Sequence, residues 1–280
     1  MLGAIIGDIV GSRFEFNNHK SKEFDLFGKD ELPQQNCCYT DDSVMTVALA
    51  DAFLHTTDLS DENALKTQII YQFHLYGKRY PLAGYGSRFF NWLFDNETAP
   101  YGSYGNGSAM RVSACGWVGD TLDECERLAE ISASVTHNHP EGIKGAVAVA
   151  GAIFLARTGK NKEEIRRYIE KRFYPRAFEK TLDEIRPDYE HTETCQDTVP
   201  QAFVAFYEST DFEDAIRSAV SVGGDCDTLT CIACSVAEAY YGVENVPAKI
   251  REKALSFLDD RLRSVVTNFR NKYVLPKVIK

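Results

Sequence analysis

The chain has 280 residues, of which 44% are hydrophobic and 26% are charged, and its formal net charge is −10. A net negative charge argues against non-specific binding to nucleic acid or to an anionic membrane surface, because both kinds of binding need clustered lysine and arginine. The charge leaves open a nucleotide-like ligand that is held by backbone amides and metal ions.

The first half of the chain is dominated by helical periodicity. Its apolar start lacks the basic segment of a signal peptide and is interrupted by Asp8. Apolar runs fall short of the roughly 20 residues that a membrane-spanning helix needs. The predicted elements, in chain order, are loop-rich residues 7–40, a helix that begins near residue 41, a helix over 61–76, a loop over 98–108, a helix over 121–135 and a loop over 136–140.

The second half of the chain continues the helical pattern. A helix is predicted from Pro140 to Gly159, because proline suits the first position of a helix and glycine its end. Another is predicted from Leu229 to Tyr240 and ends at Gly242. The other predicted elements are helices over 161–172, 199–208 and 211–221, a loop over 186–198 and one longer amphipathic helix through 250–262. Since alternating strands are scarce, the pattern predicts an all-α fold, a compact single domain over 1–280 built from many packed helices.

The eight cysteines are predicted to be thiols, because the sequence shows no export signal. Cys231 and Cys234 form a C-x-x-C pair, a spacing found in redox and zinc sites. Both lie in the apolar helical pattern TLTCIACSVAEAYYG, so we interpret them as core residues. Because the sequence shows no export signal, we also expect a cytoplasmic protein.

Two adjacent carboxylates, Asp41 and Asp42, precede the apolar helical run in YTDDSVMTVALADAF, residues 39–53. No lysine or arginine stands nearby in the sequence to offset their mutual repulsion. One interpretation is helix capping, because acidic side chains are favourable at a helix N-terminus. The other interpretation is that the two carboxylates share a cation.

The stretch SVGGDCDTLT, residues 221–230, repeats this arrangement with Asp225, Asp227 and Thr228 ahead of a helix. A helix needs only one cap, and carboxylates and hydroxyls are hard ligands of the kind that Mg²⁺, Mn²⁺ and Ca²⁺ take. Two other motifs fit this stretch less well. The nucleophile loop of a dehalogenase-type phosphatase would follow a hydrophobic strand, and none is predicted here. An EF-hand would need a glutamate at its twelfth position, and the stretch lacks it. The two clusters together predict a site for one or two divalent cations. Its candidate ligands are Thr40, Asp41, Asp42, Asp225, Asp227 and Thr228.

Three further motifs carry groups suited to a ligand. PYGSYGNGSAMR, residues 100–111, is a glycine-rich loop whose backbone amides can approach a phosphate, and a plain turn is the alternative. In THNHPEG, His137 is a candidate hydrogen-bond donor to phosphate or ribose, and His139 is a candidate helix cap. In GDIVGSRFEF, Glu15 stands between two phenylalanines, where partial desolvation raises a carboxyl pKa towards the acid–base range. The alternative for Glu15 is an ordinary surface residue.

Taken in order, five motifs resemble the ADP-ribosylglycohydrolase family, which includes dinitrogenase-reductase-activating glycohydrolases and ADP-ribosyl-acceptor hydrolases. The motifs are GAIIGDIVGSRFEF, YTDDSVM, GSYGNGSAMR, THNHPEGIKGA and GGDCDTLTCIACSVAEAYYG, and they span residues 3–242. One departure lies in the last motif, where the family often has helix glycines and this chain has Cys231, Ala233, Cys234 and Ala237. We expect this departure to change helix packing and to leave the metal ligands intact.

The resemblance implies an all-α fold with two Mg²⁺ or Mn²⁺ ions in a central cleft, bound by the six candidate ligands named above. It implies that Glu15 is the catalytic glutamate, and we expect Asp41 to be essential for catalysis as well as for metal binding. The substrate-binding residues that it implies are Ser103, Tyr104, Gly105, Asn106 and His137.

The function that the resemblance implies is metal-dependent hydrolysis of the C1″ glycosidic bond between ADP-ribose and an acceptor. The sequence does not identify the acceptor. It can be a protein side chain such as arginine or serine, a nucleic-acid base, or a small molecule, as in O-acetyl-ADP-ribose. The alternatives are a non-catalytic ADP-ribose-binding or structural homologue and a metal-dependent nucleotide phosphohydrolase. We expect a monomer with no membrane partner. The charged stretch 160–197 matches no motif.

Overall fold

Helices make up the regular structure of the residues that the computed structural model describes, which are 1–28, 36–95 and 98–278. This confirms the predicted all-α fold. Within these ranges, β-type pairing is confined to an antiparallel bridge between Gly105 and Thr194, which joins two loops. Buried apolar side chains from both halves of the chain form one hydrophobic cluster, so the helices share a core. None of the described helices combines the length and the apolar character that crossing a lipid bilayer requires.

The helices of the first half confirm the predictions near residue 41 and over 61–76 and 121–135. Helix α4 was not predicted, because its eight residues are too few to display a clear period, although Phe89, Trp92 and Leu93 form a buried face. A 3₁₀ turn over Ser12–Phe14 follows α1. The helix bounds are α1 Leu2–Gly11, α2 Asp41–His55, α3 Glu62–Arg79, α4 Ser87–Phe94, α5 Gly107–Met110, α6 Ser113–Val118 and α7 Leu122–Ser134.

The helices of the second half begin and end largely where the sequence predicts. Pro140 is the first residue of α8, and Gly242 follows α13 in a left-handed conformation with φ of 98°, which glycine adopts without strain. The bounds are α8 Pro140–Arg157, α9 Lys162–Arg172, α10 Leu182–Ile185, α11 Cys195–Glu208, α12 Phe212–Val220, α13 Cys226–Tyr241, α14 Ala248–Phe257, α15 Asp260–Phe269 and α16 Leu275–Val278, with a π-helical turn over Arg270–Val274.

The single amphipathic helix predicted through 250–262 is wrong, because two helices, α14 and α15, occupy that stretch. Leu258 has an extended backbone, with ψ of 141°, and interrupts the helical path. The carboxylate of Asp259 then accepts a hydrogen bond from the backbone N–H of Leu262 at 2.9 Å and caps the start of α15. The apolar spacing continues through the break, so periodicity alone does not reveal it.

The loop-rich segment predicted over 7–40 is wrong at its start, because residues 7–11 belong to α1. Glycines at positions 7 and 11 disfavour a helix in isolation, and tertiary packing overrides that preference here. Residues 29–35 of this segment lie outside the described residues. The predicted loops over 98–108 and 186–198 reach into the first residues of α5 and α11.

Helices α1 and α13 are in direct backbone contact and form the centre of the fold. Gly3, Gly7 and Gly11 recur every four residues on the face of α1 that meets α13. A Cβ atom at Gly7 would lie 2.3 Å from the carbonyl oxygen of Thr230, and one at Gly11 would lie 2.6 Å from the Cα atom of Asp227. The glycines that this contact needs are therefore in α1. The contact brings the end of α1 to the acidic N-terminus of α13.

All eight cysteines are free thiols in the structure. Cys231 and Cys234 are buried in α13, which confirms their interpretation as core residues. The thiol of Cys231 donates to the carbonyl oxygen of Met110 at 3.3 Å.

Candidate functional site

The N-terminus of α2 is capped by groups other than the carboxylates of Asp41 and Asp42. Thr40 is the N-cap residue, and its hydroxyl oxygen accepts from the backbone N–H of Asp42 at 3.3 Å. Asp8 of α1 accepts from the backbone N–H of Thr40 at 3.0 Å, from its hydroxyl at 2.7 Å and from the backbone N–H of Ser43 at 3.0 Å. Both carboxylates lie in the first turn of α2, as the capping interpretation expects, but neither makes the capping hydrogen bond, which Thr40 makes instead.

The N-terminus of α13 carries the second acidic pair. Asp225 is the N-cap residue by position, yet its side chain makes no capping hydrogen bond. Its Oδ2 atom accepts instead from Nδ2 of Asn106 at 2.7 Å. Asp227 lies one residue into the helix, and its Oδ1 atom accepts from the backbone N–H of Thr228 at 2.9 Å. Both carboxylates are buried, so their charge needs a partner.

The two acidic helix ends face each other across one cavity. The hydroxyl of Thr228 donates to Oδ2 of Asp42 at 3.1 Å, which joins residues 186 positions apart in the sequence. Burial, followed by the charge of Asp227, raises the pKa of both Asp41 and Asp42, so the three carboxylates are in electrostatic contact. The cavity is lined by each predicted metal ligand except Thr40, whose hydroxyl proton is engaged by Asp8.

Glu15 joins this acidic group from the turn that follows α1. Ligand oxygens of Glu15, Asp225 and Asp227 all lie within 4.8 Å of one another. Among the described residues, these three side chains form the group of carboxylate, imidazole or thiol ligands whose atoms lie close enough together to hold a cation. From the sequence, Glu15 is expected to be a catalytic residue only, and the structure adds that its carboxylate lies close to those of Asp225 and Asp227.

The carboxylates of the cavity have raised pKa values in the absence of a cation. Burial raises the pKa of Asp225 to about 6. Burial is also the main cause for Asp41, Asp42 and Asp227, whose pKa values are raised well above the usual range. For Asp227 the second cause is the charge of Asp225. A cluster that resists deprotonation in this way is stabilised by a bound cation, which favours the charged forms.

The donor set fits a divalent cation. Oδ1 of Asp42 is buried without a hydrogen-bond partner, and a buried carboxylate oxygen in that state costs free energy unless something binds it. The cluster offers carboxylate and hydroxyl oxygens, which Mg²⁺, Mn²⁺ and Ca²⁺ prefer over nitrogen or sulfur. The residues that would hold the cation are Glu15, Asp41, Asp42, Asp225, Asp227 and Thr228.

The predicted glycine-rich loop lies beside this cluster and is held against the loop before α11. The backbone N–H of Asn106 donates to the carbonyl oxygen of Glu193 at 2.8 Å, and the backbone N–H of Cys195 donates to that of Tyr104 at 3.0 Å. Ser103 accepts from the backbone N–H of Gly105 at 3.1 Å through its hydroxyl. Ser103, Gly105 and Asn106 line the cavity, whereas Tyr104 is 45% exposed and does not.

The two histidines of THNHPEG have different positions. His137 is buried and lines the cavity. His139 is the N-cap of α8, and its Nδ1 atom accepts from the backbone N–H of Glu141 at 3.2 Å, which confirms the helix-cap interpretation. The ring of His139 packs against Tyr104, with centroids 5.3 Å apart. Only His137 is placed to meet a ligand in the cavity.

Sequence reasoning did not assign roles to Asp8 and Arg111. Asp8 is fully buried in an apolar helix, and that isolated acid in GAIIGDIV was a signal, because such a group needs partners. Arg111 lines the cavity although its side chain is 1% exposed. Its guanidinium carbon lies 4.6 Å from the ring centroid of Phe73. Arg111 is the last residue of GNGSAMR, and no local pattern there predicts that an arginine is buried.

Comparison with known proteins links this chain to a family. The sequence profile of the ADP-ribosylglycohydrolase family matches residues 1–276. The chain is 26% identical to ADP-ribosylhydrolase ARH3 of Homo sapiens over 88% of this chain and 85% of that protein. It is also 26% identical to ADP-ribosylarginine hydrolase Tri1 of Pseudomonas putida (strain GB-1), over 90% of this chain and 72% of that protein.

A solved structure has the same fold. It is described as an ADP-ribosylglycohydrolase-related protein complex, and it superposes with a TM-score of 0.72 over 96% of each chain. The two sequences are 22% identical, so this likeness supports the fold and not a shared substrate. The helices that carry the acidic pairs are thus part of a known all-α architecture.

Proposed function

The chain belongs to the ADP-ribosylglycohydrolase family, and from this premise we propose that it is a divalent-cation-dependent hydrolase. Its substrate is ADP-ribose joined through C1″ to an acceptor, and its product is free ADP-ribose. The curated relatives ARH3 and Tri1, which carry hydrolase names, support the reaction class. The described geometry supplies the acidic cleft that such a reaction needs.

The observation that carries the proposal is the meeting of Asp42 with Thr228. Their hydrogen bond of 3.1 Å brings two acidic helix ends, far apart in the sequence, to one cavity. Asp41, Asp42 and Asp225 make no capping hydrogen bond to their own helices, and Asp227 accepts only from the backbone N–H of Thr228, so capping alone does not explain why four carboxylates are grouped here. Grouped buried carboxylates with raised pKa values are typical of functional sites.

Mg²⁺ or Mn²⁺ suits the oxygen ligands of this cleft. When bound, the cations would offset the carboxylate charge and polarise the hydroxyl groups of the distal ribose. We assign their binding to Asp41, Asp42, Asp225, Asp227 and Thr228, with Glu15 within reach. Thr40 serves this group indirectly, because it holds the start of α2 through its bonds to Asp8.

Glu15 moves the proton in the proposed reaction. Hydrolysis breaks the bond from C1″ to the acceptor atom and forms a bond from C1″ to a water oxygen, while one proton passes from water to the acceptor. Burial, followed by the charge of Asp227, raises the pKa of Glu15 to about 8. A carboxyl with a pKa near neutrality can both release and accept a proton. Cation binding offsets the Asp227 charge, but burial, the larger cause, remains.

The ADP side of the substrate is assigned to the glycine-rich loop and His137. Ser103, Gly105 and Asn106 line the same cavity as the carboxylates, which suits a ligand that spans both. Asn106 links the two parts directly, since its amide donates to Asp225 at 2.7 Å. Tyr104 is exposed at the rim, where its ring is available to stack on a base.

A substrate panel tests this proposal. Purified protein is given ADP-ribosyl-arginine, ADP-ribosyl-serine, an ADP-ribosylated nucleic-acid base and O-acetyl-ADP-ribose, each with Mg²⁺, with Mn²⁺ and with chelator. We expect at least one substrate to yield ADP-ribose with metal and none to do so with chelator. Binding of ADP-ribose without turnover of any substrate would favour a non-catalytic homologue, and release of inorganic phosphate from a nucleotide would favour a phosphohydrolase.

A further inference from the structure

His137 presents its two ring nitrogens to different surroundings. On one side, Nε2 faces the glycine-rich loop, where a Cβ atom at Gly107 would lie 3.2 Å and one at Gly105 would lie 3.6 Å from it. The missing side chains of these glycines leave space beside Nε2 in the cavity. On the other side, Nδ1 lies 2.8 Å from the hydroxyl oxygen of Thr136.

The hydroxyl of Thr136 has its hydrogen-bond directions fixed by Arg111. A guanidinium N–H of Arg111 donates to Oγ1 of Thr136 at 2.8 Å, and the same nitrogen donates to the carbonyl oxygen of Ser132 at 3.2 Å. An arginine has only donors, so the hydroxyl must be the acceptor in this contact. Among the described residues, Nδ1 of His137 is then the acceptor within reach of the hydroxyl proton.

Donation from Thr136 to Nδ1 selects one form of the imidazole. Nδ1 has to carry a lone pair to accept this bond, so the proton of a neutral ring is on Nε2. Charge favours the neutral ring as well, because burial, then Arg111, then Arg88 lower the pKa of His137 well below its usual value. The hydrogen bonds and the burial therefore agree on a neutral ring with an N–H directed to the cavity.

Arg111 is itself held in place by packing. Its side chain is 1% exposed, and its guanidinium lies 4.6 Å from the ring centroid of Phe73 and 5.7 Å from that of Phe89. Contact with two rings restrains the planar group and leaves Nη2 directed at Ser132 of α7 and at Thr136. No carboxylate pairs with Arg111 in the described structure, so an ion pair does not explain why it is buried.

We propose that Arg111 and Thr136 are positioning residues that hold His137 as the Nε2–H tautomer, so that its ring donates a hydrogen bond to an oxygen of the ligand. The acceptor is an ionised phosphate oxygen or an ether oxygen of the ribose. Neither kind of oxygen carries a proton, so each can only accept a hydrogen bond. This inference rests on the proposed function for the identity of the ligand. The tautomer itself does not depend on catalysis.

Nitrogen NMR of the free protein tests the tautomer directly. The protein is labelled with ¹⁵N-histidine, and the His137 signals are assigned as those that disappear in His137→Gln. We expect Nδ1 in the range of an unprotonated imidazole nitrogen and Nε2 in the protonated range between pH 6 and pH 8. A ring protonated on Nδ1, or a fully charged ring, would overturn the proposal.

Three hydroxyl variants separate positioning from general stability. Thr136→Val keeps the shape and removes the hydroxyl, so the ring should populate both tautomers and ADP-ribose affinity should fall by about tenfold, the value of one hydrogen bond. Thr136→Ser should restore the native tautomer and affinity. Ser134→Ala removes a nearby hydroxyl that donates to the carbonyl oxygen of Ile131, and it should leave both unchanged.

The two readouts distinguish the possible failures. If Thr136→Val retains the native tautomer, the proposed positioning of His137 by Arg111 and Thr136 is wrong, whatever the enzyme hydrolyses. If the wild-type tautomer is the expected one and the substrate panel gives no ADP-ribose, the proposed function fails while the positioning proposal stands. Should Thr136→Val not fold, the wild-type spectrum and Thr136→Ser still decide the question.

Discussion

Thr40 donates both its backbone N–H and its hydroxyl to Asp8, at 3.0 and 2.7 Å, across the junction of α2 and α1. Asp8 also accepts from the backbone N–H of Ser43, so one carboxylate of α1 satisfies the N-terminus of α2. This capping from another helix releases Asp41 and Asp42 from that task. The acidic pair can then face the cavity and not the end of its own helix.

Replacing Asp8 should weaken both folding and cation binding. In Asp8→Asn, the amide NH₂ group faces one of the donors that the carboxylate accepts, so we expect a loss of about 1–3 kcal/mol in the free energy of unfolding. Because the start of α2 loses its anchor, Mg²⁺ affinity should fall too. Urea unfolding and Mg²⁺ titration measure the two effects.

Asp51→Asn is a matched control for Asp8→Asn. Asp51 is a buried carboxylate further along α2, where it accepts from the hydroxyl of Tyr76 at 2.8 Å. Its replacement should also lower stability but should leave Mg²⁺ affinity unchanged. Equal loss of affinity in the two variants would show that Asp8 has no particular role in placing the acidic pair.

Glu15→Gln should separate ligand binding from turnover. The amide keeps the size of the side chain and cannot transfer a proton, so we expect ADP-ribose binding within a fewfold of wild type and hydrolysis slower by about 100-fold or more. Calorimetry and a product assay measure the two. Glu23→Gln, an exposed change further along the same segment, should behave as wild type. A Glu15→Gln enzyme with normal turnover would remove Glu15 from the proton transfer.

Metal-free protein should lose stability as the pH rises. The pKa of Asp225 is raised from 3.8 to about 6, and that of Glu15 from 4.5 to about 8. The folded state therefore holds more protons than the unfolded state between about pH 4 and pH 8, and the unfolding free energy decreases with pH in that window. We expect the melting temperature in chelator to be lower at pH 8 than at pH 5.

Mg²⁺ should reverse this trend, because it binds the deprotonated carboxylates. The rise in melting temperature on adding Mg²⁺ should be larger at pH 8 than at pH 5, and Asp227→Asn should reduce both the pH effect and the Mg²⁺ effect. A change of about 1 kcal/mol in the free energy of unfolding corresponds to a change of about 2–4 °C in the melting temperature for a protein of this size or slightly smaller. A melting temperature in chelator that increases from pH 5 to pH 8 would contradict the assigned pKa shifts.

Gly7→Ala should disrupt the contact between α1 and α13. The added Cβ would lie 2.3 Å from the carbonyl oxygen of Thr230, and backbone cannot move aside as a flexible side chain does. We expect a loss of about 1–3 kcal/mol or more, measured by urea unfolding. Gly86→Ala is the control, since its Cβ would meet no atom within 4 Å. Comparable stability of the two variants would show that the glycine face of α1 is not required.

The sequence predicted the parts of the site that local patterns reveal. Asp41, Asp42, Asp225 and Asp227 stand at helix starts with no basic neighbour, and this composition favoured a cation over a cap. Periodicity located α8 and α13, with proline and glycine marking their ends. These features depend on residues within about one helix turn of each other, so they are readable along the chain.

Three features that depend on long-range contacts escaped prediction. Asp8 is an isolated acid in the sequence, and its partners lie 32 and 35 positions away. Arg111 and Thr136 are 25 positions apart and meet only after α7 is packed. The break between α14 and α15 is invisible to apolar spacing, because Leu258 stays buried although it leaves the helix. Packing, and not local propensity, determines each of these cases.

Release of ADP-ribose by Asp41→Asn is the most direct test of a cation-dependent hydrolase. The substrate from the panel that wild type cleaves best is incubated with Mg²⁺ or Mn²⁺, and free ADP-ribose is quantified by chromatography. Asp260→Asn, a change at an exposed aspartate at the start of α15, serves as the control and should match wild type. We predict that metal-dependent release disappears in Asp41→Asn while the variant stays folded. Unchanged turnover in Asp41→Asn would contradict the assignment of the acidic helix ends as the catalytic metal site.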